Sequence, residues 1–186
     1  MELKDTELKL TFANGAGTVT GANFLLEGNG KKFLIDCGLV QGEKIADELN
    51  WTDFTYDPHS IDILFITHAH IDHIGRIPKL IQDGFNGRII STIPTRDIVQ
   101  VMLEDTAHLL SHDTEHGLKD IYTAENIKAA MDLWEGIEYH HVVNVDNGFQ
   151  ISFKDSGHIL GSAMIEIVYI GIKIVFTGNM GNSQSP

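Results

Sequence analysis

The sequence predicts an α+β fold in which sheets form the main layers and helices are gathered in the middle of the chain. Three observations carry this. Apolar and polar residues alternate near both ends, at Leu8, Leu10 and Phe12 and again at Phe149, Ile151 and Phe153, the period of half-buried strands. Between them the spacing lengthens to that of a helix, through Ile74, Ile77, Leu80 and Ile81. Ile61–Thr67 reads as a buried strand at the junction. Strands, then helices, then strands point to helices layered against sheets.

The first strand ends at the turn Asn14-Gly15-Ala16-Gly17, and strand character resumes from Asn23 to Glu27. Gly28-Asn29-Gly30 is a hairpin signal before the strand Lys32–Asp36. No Gly-Lys-Ser/Thr follows these glycines, which excludes a P-loop reading. From Cys37 to Pro58 the chain reads as loop with a short helix. After Ile61–Thr67 a helix carries Ile74, Ile77, Leu80 and Ile81; Asp83-Gly84 and Asn86-Gly87 end it before a strand at Arg88-Ile89-Ile90. Pro94-Thr95 opens a longer helix, with Thr95 as N-cap, Asp97 at the positive end of the dipole, and Ile98, Met102, Thr106 and Leu109 or Leu110 along one face. His108, His112 and His116 follow at i, i+4 and i+8, a solvated helix face in preference to a second metal site. Thr123 and Glu125 start another helix with Ile127, Met131 and Trp134 inward. Strands return from His141, and Met164–Ile170 and Ile172–Thr177 form a hairpin about Gly171.

Length and composition bound the rest. The 186 residues suffice for one domain with a real core, or for part of a larger protein. No apolar run approaches the roughly 20 residues of a membrane span, so no membrane association is expected. No export signal is evident and the single cysteine, Cys37, has no internal disulfide partner, so a cytoplasmic location is expected. A net charge of −13 excludes a broad basic surface for nucleic acid, although bound cations can create a local positive site in an acidic shell.

His68, His70, Asp72 and His73 lie directly after the buried strand. Imidazoles suit an apolar setting poorly unless something binds them, and a divalent cation satisfies all four groups at once. Alternate residues of an extended segment point the same way, so His68 and His70 can share one cation. Asp72 and His73 lie beyond the strand end and can turn toward a second. His158, in the small-residue turn Gly157-His158-Ile159-Leu160-Gly161-Ser162, completes the first site as its third histidine. This imidazole and carboxylate mixture suits zinc best, with manganese or iron as alternatives. Paired metals about 3.5–4 Å apart serve hydrolysis. Asp36, at a strand end, is either a group that orients a ligating histidine or an ordinary turn aspartate.

Thr67-His68-Ala69-His70-Ile71-Asp72-His73-Ile74-Gly75 resembles the His-x-His-x-Asp-His signature of the metallo-β-lactamase superfamily. Leu34-Ile35-Asp36-Cys37-Gly38 resembles its first motif, Gly157-His158 its third, and Phe176-Thr177-Gly178-Asn179 its fourth. Gly15 to Asn23, Asp36 to Gly42, Met102 to Ala107 and Gly157 to Ala163 are similar to the β-CASP nucleases in particular. The resemblance implies a four-layer αββα sandwich with metals at one edge, and hydrolysis of RNA phosphodiesters by metal-bound hydroxide. It implies two zinc sites, one held by His68, His70 and His158 and the other by Asp72 and His73. Asp72 would also orient or deprotonate the water, and single-stranded RNA would be the substrate.

Two departures from that pattern stand out. The family's fourth motif has an aspartate bridging the metals where this chain has Asn179, whose neutral amide bridges two dications poorly. The second site is therefore expected to be weak or empty and activity impaired. The β-CASP insertion and the rest of the sandwich are also missing, so residues 1–186 read as the front portion of a metallo-β-lactamase-like domain. Apolar surface uncovered in this way would favour self-association. A hydrolase of a small thioester or lactam, and a non-catalytic module binding metal and a protein partner, are the alternatives.

Overall fold

The computed structural model describes residues 7–42, 49–110 and 118–182. β1 (Leu8–Asn14), β2 (Asn23–Gly28) and β3 (Lys31–Ile35) form an antiparallel meander, and β4 (Ile63–Phe65), β5 (Arg88–Thr92) and β6 (Trp134–Ile137) extend it in parallel. Parallel neighbours need crossovers long enough to return to the starting edge. The crossovers carry the helices: α1 (Ile71–Ile74) and α2 (Ile77–Gln82) between β4 and β5, then α3 (Ile93–Leu110), α4 (Leu118–Ile121) and α5 (Ala124–Asp132) before β6. β7 (Val142–Val145), β8 (Phe149–Asp155), β9 (Ala163–Tyr169) and β10 (Ile172–Phe176) make a second, wholly antiparallel sheet in the order β10-β9-β8-β7.

The first sheet is buried on both faces. Leu25, Leu34, Leu64, Ile66 and Ile89 face the helices, where they meet Ile74, Leu80, Val99 and Leu103. Leu26, Phe33, Ile35, Phe65 and Ile90 face the second sheet, against Phe149, Ile151, Phe153 and Ile165. Burial on both sides explains why β4 reads as a continuous apolar run, whereas β8 and β9, with one face inward, alternate. None of the described helices contributes to the core between the sheets. The described residues therefore give three layers, αββ, of the expected four. The outer face of the second sheet carries Glu166 between Lys173, at 3.1 Å, and Lys154, at 4.0 Å, beside the partly exposed Met164, Val168 and Val175.

Several expectations need correction. The helix expected through Ile74–Ile81 is two, because Pro78 cannot donate to the carbonyl of Ile74 and its ring would clash there. Helix α3 begins at Ile93, and Thr92 rather than Thr95 offers its side-chain oxygen to the first turn, accepting from the Thr95 N–H at 3.4 Å. Its inward face is Thr95, Val99 and Leu103, with Ile98 and Ala107 partly buried; Met102 and Leu109 are exposed, so the buried stripe is rotated by one residue. Trp134 belongs to β6, a strand that its helical spacing with Ile127 and Met131 concealed. His112 and His116 lie outside the described residues, as does most of the short helix expected after Cys37, of which residues 49–51 are helical. Thr123 caps α5 as expected, accepting from the Asn126 N–H at 3.1 Å. No described helix is long and apolar enough to cross a membrane.

Candidate metal centre

The site lies where both sheets end. β4 delivers Thr67 and His68, and the chain then turns through His70 into the single-turn helix α1, which carries Asp72 and His73. That turn is held by the loop after β3. Cys37 N–H donates to the His73 carbonyl at 2.8 Å, Leu39 N–H to Ile71 at 3.1 Å, and Ala22 N–H to Asp72 at 3.0 Å. A side chain at residue 38 would stand 1.6 Å from the Asp72 carbonyl oxygen, so only glycine permits this contact. Cys37 is fully buried in the same strap, and burial pushes its thiol up to about 12, leaving it protonated and inert.

Asp36 is buried, at 1% exposure, on a left-handed backbone with φ of 58°. A non-glycine residue there is strained, and such strain persists only where surroundings over-determine it. Here they do. The carboxylate accepts from Thr67 N–H at 2.8 Å, from the Thr67 hydroxyl at 2.8 Å and from His73 Nδ1 at 2.7 Å. Asp36, at the strand end, is thus hydrogen-bonded to His73 as well as to Thr67. Thr67 was not singled out by its sequence context, yet it links the cluster.

The proton count fixes two tautomers. Thr67 has a single hydroxyl proton, and Asp36 takes it. The Thr67 oxygen must therefore accept from His68 Nδ1–H, 3.0 Å away, which leaves the His68 Nε2 lone pair free. His73 likewise donates from Nδ1 and turns Nε2 toward Asp72 Oδ2, at 3.5 Å.

His68 Nε2 lies 3.1 Å from His70 Nδ1, and His158 Nε2 lies 3.2 Å from the same atom. The ligand atoms of the three residues all fall within 4.8 Å of one another. One nitrogen cannot satisfy two lone pairs with a single proton. Protonating the cluster is no remedy, because burial, then the facing His73, His70 and His158, push His68 down to about 2. Burial, then His158, lower His70 as well. Three imidazoles whose nitrogens converge on one point are the donor set of a divalent cation, and the residues fit one.

The His73 ring lies against that of His68, with centroids 4.0 Å apart and the planes tilted by 48°, but stands outside the triad. Together with Asp36, Thr67 and Asn179 it lines a cavity of about 410 Å³ whose remaining wall is largely apolar, including Phe12, Phe24 and Phe176. The sequence-selected residues thus divide: His68, His70 and His158 converge, Asp72 adjoins His73, and Asn179 shares the cavity with His73.

A sheet sandwich carrying a His-x-His-x-Asp-His turn at its edge defines a class. Residues 25–184 match the metallo-beta-lactamase superfamily domain, and the chain belongs to that superfamily. It is similar to Ribonuclease TTHA0252 of Thermus thermophilus, with 31% identity over 91% of this chain and 37% of that protein. It is also similar to Cleavage and polyadenylation specificity factor 73 of Drosophila melanogaster, with 36% identity over 91% of this chain and 24% of that protein. These relatives bear out the resemblance to the β-CASP branch. The chain spans well under half the length of either. Among solved structures, the metallo-beta-lactamase fold protein YhfI of Bacillus subtilis superposes with a TM-score of 0.56 at 17% identity, covering 96% of this chain and 64% of its own, a likeness of fold alone.

Proposed function

We propose that this chain carries the metal centre of a hydrolase that cleaves RNA phosphodiester bonds. The observation that carries the reading is the convergence of imidazole nitrogens of His68, His70 and His158 beside a second, carboxylate-containing pair, Asp72 and His73. The ribonuclease named among the relatives supports RNA as the substrate class. Zinc is the ion the donor set favours.

In this reading the triad holds one divalent cation, and Asp72 and His73 form the protein side of a second position. A bound dication supplies Lewis acidity, lowering the pKa of water and neutralising charge that develops on phosphate oxygens. Asp36 keeps the His73 Nδ1 proton in place, so that Nε2 faces the site as a donor of electrons. Thr67 does the same for His68. Asp72, whose Oδ2 lies 3.5 Å from His73 Nε2, would orient the attacking water and take its proton. Asn179 contributes an amide without charge, which weakens the second position and with it the activity. With a net charge of −13, the chain depends on its cations for a local positive field toward RNA.

Purified chain loaded with zinc or manganese is assayed on single-stranded RNA, a thioester and a chromogenic lactam. The reading expects slow, chelator-sensitive RNA cleavage that His158→Ala abolishes. Turnover of the thioester or lactam with RNA untouched would replace it by a small-molecule hydrolase.

A further inference from the structure

We propose that Thr92 and Thr95 are positioning residues for His158, a two-hydroxyl clamp on the Gly161 carbonyl that sets where the third histidine stands. The inference rests on the metal-centre reading above. His68 and His70 follow β4 of the first sheet, whereas His158 comes from the β8–β9 loop of the second. The triad therefore closes only if the two sheets keep their register at this edge. Packing supplies only part of this: Ile159 rests against the helix-side core, but the other residues of 156–162 are mostly small, and Leu160 is 73% exposed.

Hydrogen bonds hold it instead. The Thr92 hydroxyl lies 2.6 Å from the Gly161 oxygen and the Thr95 hydroxyl 2.8 Å from it. Both threonines are buried, at 1% and 0% exposure. The Thr92 hydroxyl also lies 3.0 Å from the Thr95 oxygen, but its single proton has the shorter path to Gly161, whose carbonyl has lone pairs for both threonines. The clamp stands at the end of β5 and in the first turn of α3. β5 pairs with β4, and Ile66 N–H donates to Ile90 at 3.0 Å, so the clamp is rigidly tied to the segment leading into His68.

The other end of the connection is as short. Gly161 is followed by buried Ser162, whose Oγ accepts from the N–H groups of His158, at 3.0 Å, and Ile159, at 3.1 Å. A Cβ on Gly161 would meet Thr95 N at 2.6 Å and its Oγ1 at 2.7 Å, with φ at +84°, so the approach requires glycine. Tyr139 OH donates to the Ser162 carbonyl at 2.9 Å and Ala163 N–H to Thr67 at 2.8 Å, fixing the loop's far side independently. With the threonine hydroxyls removed, the loop keeps those anchors and its internal bonds to Ser162, but Gly161 loses its tie to the first sheet and His158 is placed less firmly against His68 and His70.

A purely structural role, capping α3 and pairing a buried carbonyl, would leave metal binding alone once the chain is folded. Zinc dissociation constants, measured by chelator competition on the full chain, separate the two. Thr92→Val with Thr95→Val is expected to weaken zinc binding about 10–100-fold, the range for outer partners of a ligand. Thr92→Ser with Thr95→Ser is expected to restore it to within a few-fold. In a His158→Ala background the valines should change nothing further. The visible bands of the cobalt-loaded chain should shift with valine and not with serine. A folded valine variant with unchanged zinc affinity, or one with the same loss in the His158→Ala background, overturns the inference. If the valine variants do not fold, proton NMR of the unsubstituted chain decides: both threonine hydroxyl protons should exchange slowly and shift on zinc loading. Freely exchanging hydroxyls overturn the clamp. A chain that binds no zinc overturns the metal-centre reading itself, and zinc binding indifferent to the hydroxyls overturns the clamp alone.

Discussion

His68 and His73 lie ring against ring, with centroids 4.0 Å apart, and they treat a proton in opposite ways. Burial, together with the imidazoles it faces, pushes His68 down to about 2. Burial disfavours charge on His73 too, but the Asp36 carboxylate, through charge and hydrogen bond, outweighs it and raises the pKa. The difference lies behind the rings. Thr67 offers His68 a neutral oxygen, which orients the imidazole without charging it. Asp36 offers His73 an anion, which orients it and raises its pKa. One half of the site is thus built against protons and for a cation of another kind, while the other half favours a proton more than a free imidazole does.

Removing the anion should be the larger insult. Asp36→Ala leaves the Thr67 N–H, the Thr67 hydroxyl and His73 Nδ1 without their acceptor in a buried site. Breaking a buried pair of this kind costs about 3–5 kcal/mol. Urea melts of the metal-free chain should show that loss, and a change below about 1 kcal/mol would mean that the network relaxes freely. Next in size is the triad. His158→Ala removes a direct donor and should weaken zinc binding by more than the roughly 100-fold expected for an outer partner, measured by competition with a chelator. An unchanged affinity would move the metal to the His73 side and reverse the comparison.

The asymmetry was only half legible in the sequence. His68, His70, Asp72 and His73 announce themselves by spacing within one turn, and Gly157-His158 by its small neighbours. The αββ layering was legible because one-sided strands alternate and helices change the period. Thr67 and Thr92 were invisible and Thr95 was read only as a helix cap, because a threonine near an element's end has many uses. Only the sheet register brings Asp36 to Thr67 and Gly161 to Thr92, across separations of 31 and 69 residues. The stripe of α3 failed for a related reason. Met102 and Leu109 match the helical period, yet Thr95 is drawn inward by Gly161, and Val99 and Leu103 follow it into the core.

Charge on the His73 side can be restored at the cavity wall. Asn179→Asp adds a carboxylate to the lining shared with Asp36, Thr67 and His73. A unit charge about 4 Å from a dication is worth several kcal/mol at an effective dielectric near 20, and desolvation of the new carboxylate offsets part of it. A gain of about tenfold in the affinity of a second metal equivalent remains. Equilibrium dialysis followed by elemental analysis should find two equivalents in the aspartate variant under conditions that leave the parent with one. Two tightly held equivalents in the parent would show that Asn179 is no weakness.

The smallest effect is the pH dependence of the metal-free chain, and it sets the two rings directly against each other. The folded pKa of His68, about 2, lies below the ordinary 6.5, so the unfolded chain binds the extra proton in between and stability falls as pH drops below 6.5. One such group costs about 1.4 kcal/mol per pH unit at most. His73 has a raised folded pKa, so its contribution is fully present below 6.5 and is lost as pH rises through that raised value. Stability of the apo chain should therefore peak near pH 6.5 and decline on both sides. His68→Gln should make the acid limb shallower and leave the alkaline limb alone, the remainder coming from His70, whose pKa burial also lowers. Asp36→Asn should flatten the alkaline limb alone, because His73 then loses the anion that raises it. An acid limb just as steep in His68→Gln would assign the slope to other groups and leave the two rings undistinguished by their protons.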